Sequence, residues 1–395
     1  MGDRIAPSPQ NGGKGKGSRK KGPNRRKDAT GAAAAMENSR DVAGGEPQRD
    51  TRAGSFGNAN FGNRSFGDRG GWLGKTAYAA LDLGTNNCRL LIARAAQDGF
   101  TVVDAFSRVV RLGEGLNSTG KISEEAMDRA IEALTVCADK LKRRNVVLAR
   151  SVATEACRQA VNGAHFIERV RQETGIVLDV ISPKEEARLA VMGCHALLEP
   201  GEGPALIFDI GGGSTEVVLV STDGVVPEIM DWTSIPWGVV SLTESEPHDE
   251  QDAAARDDAY AAMRFKVSQA FGEFAARLPQ GGDYRLLGTS GTVTTLASVY
   301  LQLQSYDRRK IDGLHLPTQA LRDISQTLAA APPSGRAEFP TIGFERADLV
   351  VAGCAILESI LDMWPGERLG IADRGIREGI LRALMASDAR RRNRR

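Results

Sequence analysis

The sequence predicts an α/β protein with two related domains that flank a cleft, and three observations lead to this fold class. A glycine-rich turn at residues 211–213 stands between two apolar runs, which is the pattern of a β-hairpin. A similar hairpin occurs once earlier, at residues 80–92, so the chain contains an internal repeat. Strand-like and helix-like stretches alternate along the rest of the chain, as they do in sheets covered by helices. We place the domains at residues 76–182 and 183–386, and we expect the final helix to pack back on the first.

Both turns are suited to bind an anion. Glycine lacks a Cβ, so consecutive glycines let backbone N–H groups approach a phosphate closely. Neither turn ends in the Gly-Lys-Ser/Thr of a Walker loop. Overlaying the two copies gives three equivalent pairs, which are Asp82 with Asp209, Gly84 with Gly211, and Arg89 with Glu216. One turn thus supplies a cation for phosphate oxygens, and the other supplies an anion for a metal ion or a water molecule. A single hairpin would more simply be an ordinary turn, and the second copy in register favours a facing pair of phosphate-binding loops.

The composition is that of a globular protein with an uneven charge distribution. The 395 residues carry a formal net charge of +1, yet residues 1–75 hold 15 Lys and Arg against 7 Asp and Glu. Residues 387–395 add five Arg, so the part between these segments has a net charge of about −11. An acidic body that handles a polyanion must concentrate its positive charge in the cleft. The apolar runs are too short to cross a bilayer and the N-terminus lacks the apolar segment of a signal peptide, so we expect a cytoplasmic protein with no membrane partner.

The terminal segments are predicted to lie outside the folded body. Residues 1–75 are rich in Gly, Asn, Ser and Arg and have almost no periodic apolar content. Burying so little apolar surface cannot offset the entropy cost of ordering the chain. We therefore expect a disordered basic tail that keeps the protein soluble, with weak RNA contact as the alternative. Residues 387–395 form an Arg-rich tail, where we expect the last helix to fray.

The five cysteines predict neither disulfides nor a zinc site. None belongs to a C-x-x-C pattern, and each lies in an apolar or helical context. Buried free thiols are the simplest interpretation.

The first domain continues after its hairpin with alternating elements. Residues 100–106 predict a strand. Ser123 is a typical N-cap, and the apolar residues that follow it at helical spacing predict an amphipathic helix. Strands at residues 146–149 and 176–181 then enclose a helix at residues 164–174.

The junction between the domains has the sequence of a capped helix. Ser182 as N-cap, Pro183 at the first helical position and Glu185 three residues after the cap make a capping box. Glu185 thus has a structural role, whereas this pattern assigns none to its neighbour Glu186. On the residues alone, Glu186 would most simply be a solvated surface side chain.

The second domain offers a third place for a phosphate. Residues 285–296 predict a strand that contains Gly288, then a glycine turn and a helix. Free backbone N–H groups at Gly291 and Thr292 would suit an anion there, although glycines before a helix are common. The other elements are a strand and helix at residues 234–244, a long helix at 249–278, a polar connection and helix at 306–331, a helix at 344–361, a strand at 369–375 and the final helix.

Taken together, these segments resemble the exopolyphosphatase and guanosine pentaphosphate phosphohydrolase family. Its members have paired ribonuclease-H-like domains, as do actin and the sugar kinases. The matching segments are residues 82–89, 154–158, 185–188, 209–216, 288–292 and 373–379. The resemblance covers residues 76–386 and implies hydrolysis of a terminal phosphoanhydride bond, in inorganic polyphosphate or in guanosine pentaphosphate.

The resemblance also implies roles for individual residues. Glu186 would be the general base that activates water, and Arg89 would clamp the phosphates. Glu216, with Asp209 and Asp82, would hold Mg²⁺ or another divalent cation, or the attacking water. The phosphate-binding positions would be Gly84, Thr85, Asn86, Arg89, Gly211, Gly212, Gly213, Ser214, Thr215, Gly288, Gly291 and Thr292. A homodimer is plausible by the same resemblance.

Some features depart from the family's pattern. Asn87 stands where a hydroxyl residue is usual, and Asp312 stands where a histidine precedes a glycine. The chain also ends soon after the second domain, as in short family members, which implies a weaker hold on very long polyphosphate. Two other functions stay open. A kinase of the same superfamily would move phosphate from ATP to a small molecule, and a non-catalytic actin-like module would bind a nucleotide for regulation without releasing phosphate.

Overall fold

The computed structural model describes residues 76–97, 99–222, 227–279, 283–344 and 346–394. The predicted tail at residues 1–75 lies outside these residues, and so does Glu345 in the predicted helix at residues 344–361.

The first half of the fold is a five-stranded sheet with helices. The strands are β1 (Ala77–Leu83), β2 (Asn87–Ala96), β3 (Gly99–Val109), β4 (Val146–Ala153) and β5 (Asp179–Val180). The helices are α1 (Leu116–Thr119), α2 (Glu124–Arg143), α3 (Glu155–Gln159) and α4 (Gly163–Thr174). The strand order is β3-β2-β1-β4-β5. The β1, β2 and β3 strands are antiparallel neighbours, whereas β4 runs parallel to both β1 and β5.

The second half is a six-stranded sheet. Its strands are β6 (Ala205–Ile210), β7 (Thr215–Ser221), β8 (Glu228–Ile235), β9 (Arg285–Thr289), β10 (His315–Pro317) and β11 (Arg368–Ala372), in the order β10-β11-β9-β6-β7-β8. The helices from the domain junction onward are α5 (Pro183–Cys194), α6 (Val239–Ser245), α7 (Ala253–Arg277), α8 (Gly291–Tyr300), α9 (Arg308–Ile311), α10 (Thr318–Ala330), α11 (Pro333–Ala337), α12 (Val350–Met363) and α13 (Ile376–Asn393).

The two sheets repeat one arrangement, which confirms the predicted fold class. In the first, β1 lies between its antiparallel partner β2 and the parallel strand β4. In the second, β6 lies between antiparallel β7 and parallel β9. The registers agree with the overlay of the two hairpins, because Asp82 is opposite Arg89 and Asp209 is opposite Glu216.

The N-caps predicted from the sequence form, with one difference. Ser123 Oγ accepts the backbone N–H of Ala126 at 3.2 Å, which starts α2 at Glu124 as expected. Ser182 Oγ accepts the N–H of Glu185 at 3.3 Å at the start of α5. The Glu185 carboxylate does not complete the capping box, because it binds the guanidinium groups of Arg150 and Arg188 instead. Such charge-assisted hydrogen bonds are stronger than one to a neutral amide.

Helices α5 and α13 pack together beside the first sheet. Leu189 of α5 and Ile380 of α13 belong to one apolar cluster with that sheet, while Ala187 and Val191 on α5 pack against the second sheet. The two helices cross with their main chains in contact. A Cβ on Gly379 would overlap the Leu189 carbonyl oxygen, and the same conflict would arise between Gly193 and Gly375.

The last helix is longer than predicted, so the expected fraying at residues 387–395 is wrong up to Asn393. Asp388 explains the extension. Its carboxylate accepts a hydrogen bond of 2.7 Å from the Tyr78 hydroxyl and pairs with Arg392 at 2.6 Å. Arg392 also donates to Thr76 Oγ1 at 3.0 Å. These contacts fix the end of α13 to the start of β1.

Several other boundaries differ from the sequence prediction. The predicted polar connection at residues 306–331 contains the short edge strand β10, whose one partner among the described strands is β11. Helix α12 starts at Val350, because residues 346–349 form turns. The β4 strand continues to Ala153 because it is paired with β1 on one side and β5 on the other, although its polar residues Arg150 and Ser151 do not look like a strand interior.

The five cysteines are buried free thiols, as predicted. None of the helices in the described part of the chain combines the length and the apolarity that crossing a membrane requires.

Candidate active site

The turn of the first hairpin contacts the turn of the second. A Cβ on Gly212 would lie 2.9 Å from Thr85 Cβ and 3.1 Å from the amide nitrogen of Asn86. A Cβ on Gly213 would lie 2.8 Å from Thr85 Oγ1 and 3.0 Å from Glu155 Cγ. The glycines are therefore required for this contact between the halves, besides leaving room for an anion.

A cavity of about 140 Å³ opens at this contact. The structure brings most of the predicted site residues to its walls, and these are Asp82, Gly84, Thr85, Asn86, Arg89, Glu186, Asp209, Gly211, Gly212, Gly213, Ser214, Gly291 and Thr292. Thr215, Glu216 and Gly288 are outside this lining.

Thr215 and Gly288, two of the predicted phosphate-binding residues, have structural roles outside the cavity lining. The Thr215 hydroxyl is fully buried and donates to the carbonyl of Trp237 at 2.7 Å. A Cβ on Gly288 would lie 2.8 Å from the Phe208 ring and from Val293. The glycine in β9 thus allows close packing between β6 and α8.

Glu216 lies behind the cavity wall. Its Oε1 accepts hydrogen bonds from Ser214 Oγ at 2.9 Å and from Ser234 Oγ at 2.7 Å. Burial raises the pKa of Glu216 to about 7 and the charge of Asp209 adds to the increase, whereas the two serines oppose it. Since Ser214 does line the cavity, Glu216 is linked to the cavity through that hydroxyl group.

Glu186 is buried in the cavity wall, and one of its carboxylate oxygens is fixed. Arg158 Nη1 donates to Glu186 Oε2 at 2.7 Å and to the carbonyl of Ile181 at 2.8 Å, while its Nε donates to Glu155 at 2.9 Å. Among the described residues, Oε1 of Glu186 has no hydrogen-bond donor. Burial raises the pKa of Glu186 well above its usual range, as does the charge of Glu216, and Arg158 opposes the shift. Since Glu186 lines the cavity, its Oε1 atom is available to a water molecule or a ligand there.

Asp82 and Asp209 are two half-buried acids in the cavity lining. Burial raises the pKa of Asp82, and Asp82 Oδ1 has no hydrogen-bond partner in the described part of the chain. Burial raises the pKa of Asp209 to about 7, the charge of Glu186 adds to it, and Arg89 lowers it. A carboxylate that is removed from water is stabilised in its charged form by a nearby cation.

The start of α8 differs from the prediction of free N–H groups. Ser290 Oγ accepts the N–H of Thr292 at 3.1 Å and that of Val293 at 3.3 Å. The sequence does not single out Ser290 as an N-cap, because the glycine that follows it is typical of a turn. Two of the amide N–H groups that an anion could bind at the start of this helix are therefore already bound to the serine hydroxyl.

Two charged residues in the cavity were not selected from the sequence. One is Arg346, whose side chain forms no hydrogen bond or ion pair with the described residues. The other is Glu155, which lies beside Gly213. The pair Thr154-Glu155 did belong to the family resemblance, whereas Arg346 follows an irregular turn that carries no recognisable motif. Arg89 and Arg346 are the basic side chains in this lining, and the lining also contains four acids, Asp82, Glu155, Glu186 and Asp209. The positive charge expected in the cleft is therefore limited to these two arginines.

The two residues that depart from the family's pattern, Asn87 and Asp312, lie in different places. Asn87 lines the cavity. Asp312 instead accepts the backbone N–H of Asp373 at 3.0 Å and the Arg374 Nε–H at 2.7 Å. It thereby holds the turn between β11 and α13.

Known proteins resemble this chain in sequence and in fold. The model of the Ppx/GppA phosphatase family matches residues 91–388. Exopolyphosphatase 2 of Mycobacterium tuberculosis is 31% identical over 298 residues, which are 72% of this chain and 90% of that protein. The crystal structure of an Aquifex aeolicus member of the Ppx/GppA family is similar with a TM-score of 0.65 at 27% identity, over 79% of this chain and 98% of that one. An exopolyphosphatase from Cytophaga hutchinsonii gives a TM-score of 0.70 at 25% identity, over the same shares of 79% and 98%.

Proposed function

We propose that the chain, which belongs to the Ppx/GppA phosphatase family, removes the terminal phosphate of inorganic polyphosphate by hydrolysis. The observation that carries the proposal is the position of Glu186, a buried carboxylate in the cavity where the two glycine turns meet. The likeness to a mycobacterial protein named as an exopolyphosphatase supports the substrate class.

The proposed reaction forms a bond between a water oxygen and the terminal phosphorus and breaks the bond from that phosphorus to the bridging oxygen. Its products are orthophosphate and a chain shortened by one phosphate. Glu186 Oε1 accepts the proton of the attacking water, while Arg158 keeps the carboxylate in place through Oε2. Burial raises the pKa of Glu186, so its ionised form is a stronger proton acceptor than an exposed carboxylate. Arg89 and the backbone N–H groups of Gly212 and Gly213 stabilise charge on the phosphate oxygens. The N–H of Gly211 is instead donated to the carbonyl oxygen of Ser214 at 2.9 Å.

Asp82 and Asp209 fit a role in binding Mg²⁺ or another divalent cation. Mg²⁺ commonly binds through one or two carboxylates together with substrate phosphates and water, and Asp82 has an oxygen without a partner among the described residues. No group of three or more His, Cys, Asp and Glu side chains in the described ranges is arranged to hold a metal ion, so phosphates would have to complete the ligand set. Such an ion, when bound, would neutralise negative charge on the substrate. Glu216 then acts as a positioning residue through Ser214.

The stability of the metal-free protein should depend on pH through Asp209. Its pKa of about 7 in the fold is above the ordinary value, so the stabilising contribution of the protonated carboxyl is complete below about pH 4 and is lost as the pH rises through 7. The Asp209→Asn variant cannot ionise there. In EDTA, it should gain stability relative to the wild type between pH 4 and 8, by about 1.4 kcal/mol for each unit of the pKa shift.

Thermal unfolding at several pH values measures this difference. A constant difference between variant and wild type across the range would show that Asp209 has an ordinary pKa. Adding Mg²⁺ at pH 8 should stabilise the wild type and have little effect on Asp209→Asn, which tests the metal assignment without any activity measurement.

The reaction itself is tested by orthophosphate release from polyphosphates of several lengths and from guanosine pentaphosphate, with Mg²⁺ and with EDTA. We expect release from polyphosphate that depends on the metal ion. Absence of orthophosphate from every polyphosphate would contradict the proposed function, and phosphorylation of an acceptor by ATP would indicate a kinase instead. Hydrolysis of guanosine pentaphosphate, a homodimer and weak RNA contact stay predictions from the sequence.

A further inference from the structure

Two carboxylates share one guanidinium group beside the cavity. Glu155 and Arg158 lie three positions apart on α3, and Glu186 lies in the first turn of α5. Arg158 donates to Glu155 Oε2 from Nε at 2.9 Å and from Nη2 at 2.5 Å, and it donates to Glu186 Oε2 from Nη1 at 2.7 Å. Both glutamates line the cavity, whereas Arg158 is outside that lining. Arg158 therefore connects two cavity residues without being one itself.

Glu155 determines how the guanidinium group of Arg158 is oriented. The group is a planar fork of five N–H donors, so fixing the donors on one edge fixes the direction of the others. Glu155 binds the edge formed by Nε and Nη2, and Nη1 is left to bind the carbonyl oxygen of Ile181 at 2.8 Å and Glu186. Without Glu155, the hydrogen bonds that Arg158 keeps with the described residues would all come from Nη1. The guanidinium group would then be free to turn about that atom.

Glu155 is itself held by both halves of the fold. A Cβ on Gly213 would lie 3.0 Å from Glu155 Cγ and 3.2 Å from Glu155 Cβ, so the second glycine turn leaves just enough room for this side chain. Helix α3 follows β4 directly, and the N–H of Thr154 donates to the carbonyl of Leu83 at the end of β1 at 3.2 Å. The position of Glu155 is thus set by β1 and by the second glycine turn.

Stability alone does not explain why a second carboxylate binds Arg158. Arg158 can neutralise Glu186 by itself, and Glu155 adds a negative charge to a cavity that is proposed to bind a polyanion. A partly buried ion pair contributes little net stability, because the cost of removing both charges from water offsets their attraction. The direction of the guanidinium fork is the property that Glu155 supplies and Glu186 does not.

We propose that Glu155 is a positioning residue, which holds Arg158 so that Glu186 presents its Oε1 atom to the attacking water. Arg158 binds Glu186 through Oε2, so the direction of the guanidinium group decides where Oε1 lies. A base that is oriented by a further group is the usual arrangement in enzymes that activate a nucleophile. The role in hydrolysis rests on the proposed function, but the orientation of Glu186 through Arg158 does not.

Steady-state kinetics with polyphosphate test this inference. Glu155→Ala removes the acceptor of two N–H groups and should lower kcat about 10- to 100-fold without raising KM, since a small misplacement of a reacting group has effects of this size. Glu155→Gln keeps an oxygen that accepts from Arg158 and should restore most of the lost turnover. The matched control is Glu168→Ala. Glu168 binds Nε and Nη2 of Arg171 in the same i,i+3 geometry on α4, outside the cavity lining, so kcat should stay at the wild-type value.

A double-mutant cycle shows whether Glu155 acts through Arg158. In an Arg158→Met background, Glu155→Ala should lower kcat much less than it does in the wild type, because the guanidinium group that Glu155 holds is absent. Wild-type kcat in Glu155→Ala, a raised KM as its main effect, an equal loss in Glu155→Gln, or additive effects of the two substitutions would each overturn the inference.

A crystal structure of Glu155→Ala tests the orientation without any activity measurement. The guanidinium group of Arg158 should turn, and the carboxylate of Glu186 should move with it. Unchanged positions of both side chains would overturn the inference even if the protein hydrolyses polyphosphate. A displaced Glu186 in a protein whose wild type releases no orthophosphate would support the inference and contradict only the proposed function.

Discussion

Replacing Glu186 with glutamine should lower the turnover number for polyphosphate by about 10²- to 10⁴-fold, the usual contribution of a positioned general base. Glutamine has nearly the same shape but cannot accept the proton of water. The KM should change little, because Arg89 and the glycine turns still bind the phosphates. The variant should also fold normally, since the amide oxygen of glutamine can still accept the hydrogen bond from Arg158. Steady-state release of orthophosphate and thermal unfolding check both parts.

The neighbouring Glu185 provides the control. It differs by one position on α5 and pairs with Arg150 and Arg188 outside the cavity lining. Glu185→Gln should retain a turnover number close to the wild-type value. If Glu186→Gln were as active as Glu185→Gln, the general base would have to be another residue.

Replacing Gly379 with alanine should strongly destabilise the fold. The added methyl group would overlap the carbonyl oxygen of Leu189, and a backbone atom cannot move aside as a flexible side chain can. We expect a loss of at least about 1–3 kcal/mol in the free energy of unfolding, the typical cost of overpacking. This loss would exceed the gain of up to about 1 kcal/mol that alanine brings to a helix interior. Denaturant unfolding measures the difference.

Gly272 in α7 offers the opposite case. It is exposed, and a Cβ there would meet nothing within 4 Å. Gly272→Ala should therefore stabilise the protein by about 0.5–1 kcal/mol. Equal effects of the two substitutions would mean that the crossing of α5 and α13 relaxes without cost.

The sequence was sufficient to predict the fold class, because each copy of the repeat is a short continuous segment of the chain. Each hairpin contains its own apolar runs, glycines and turn, so the overlay of Asp82 on Asp209 needs no knowledge of tertiary contacts. The same applies to the N-caps at Ser123 and Ser182, which depend on residues three positions apart. The end of α13 could not be predicted in this way, because Asp388 stabilises it through Tyr78, 310 positions earlier in the chain.

Only part of the candidate site could be predicted from the sequence. Helical spacing shows that Glu186 and Glu185 point in different directions, but not which of them is buried against the second domain. The overlay paired Glu216 with Arg89, yet pairing in register does not reveal that two serines hold Glu216 behind the wall. Arg346 reaches the cavity from a turn more than 100 positions after the glycine loop, and no local pattern signals such a contact.

The crossing of α5 and α13 has a mechanical consequence. Helices usually interlock ridges of side chains, so that turning one against the other requires many groups to repack. Here main-chain atoms also touch directly at Gly193 and Gly379, so tilting one helix against the other would press these backbone atoms together or part them. We expect the angle between α5 and α13 to be the same in crystal structures of the free and the phosphate-bound protein.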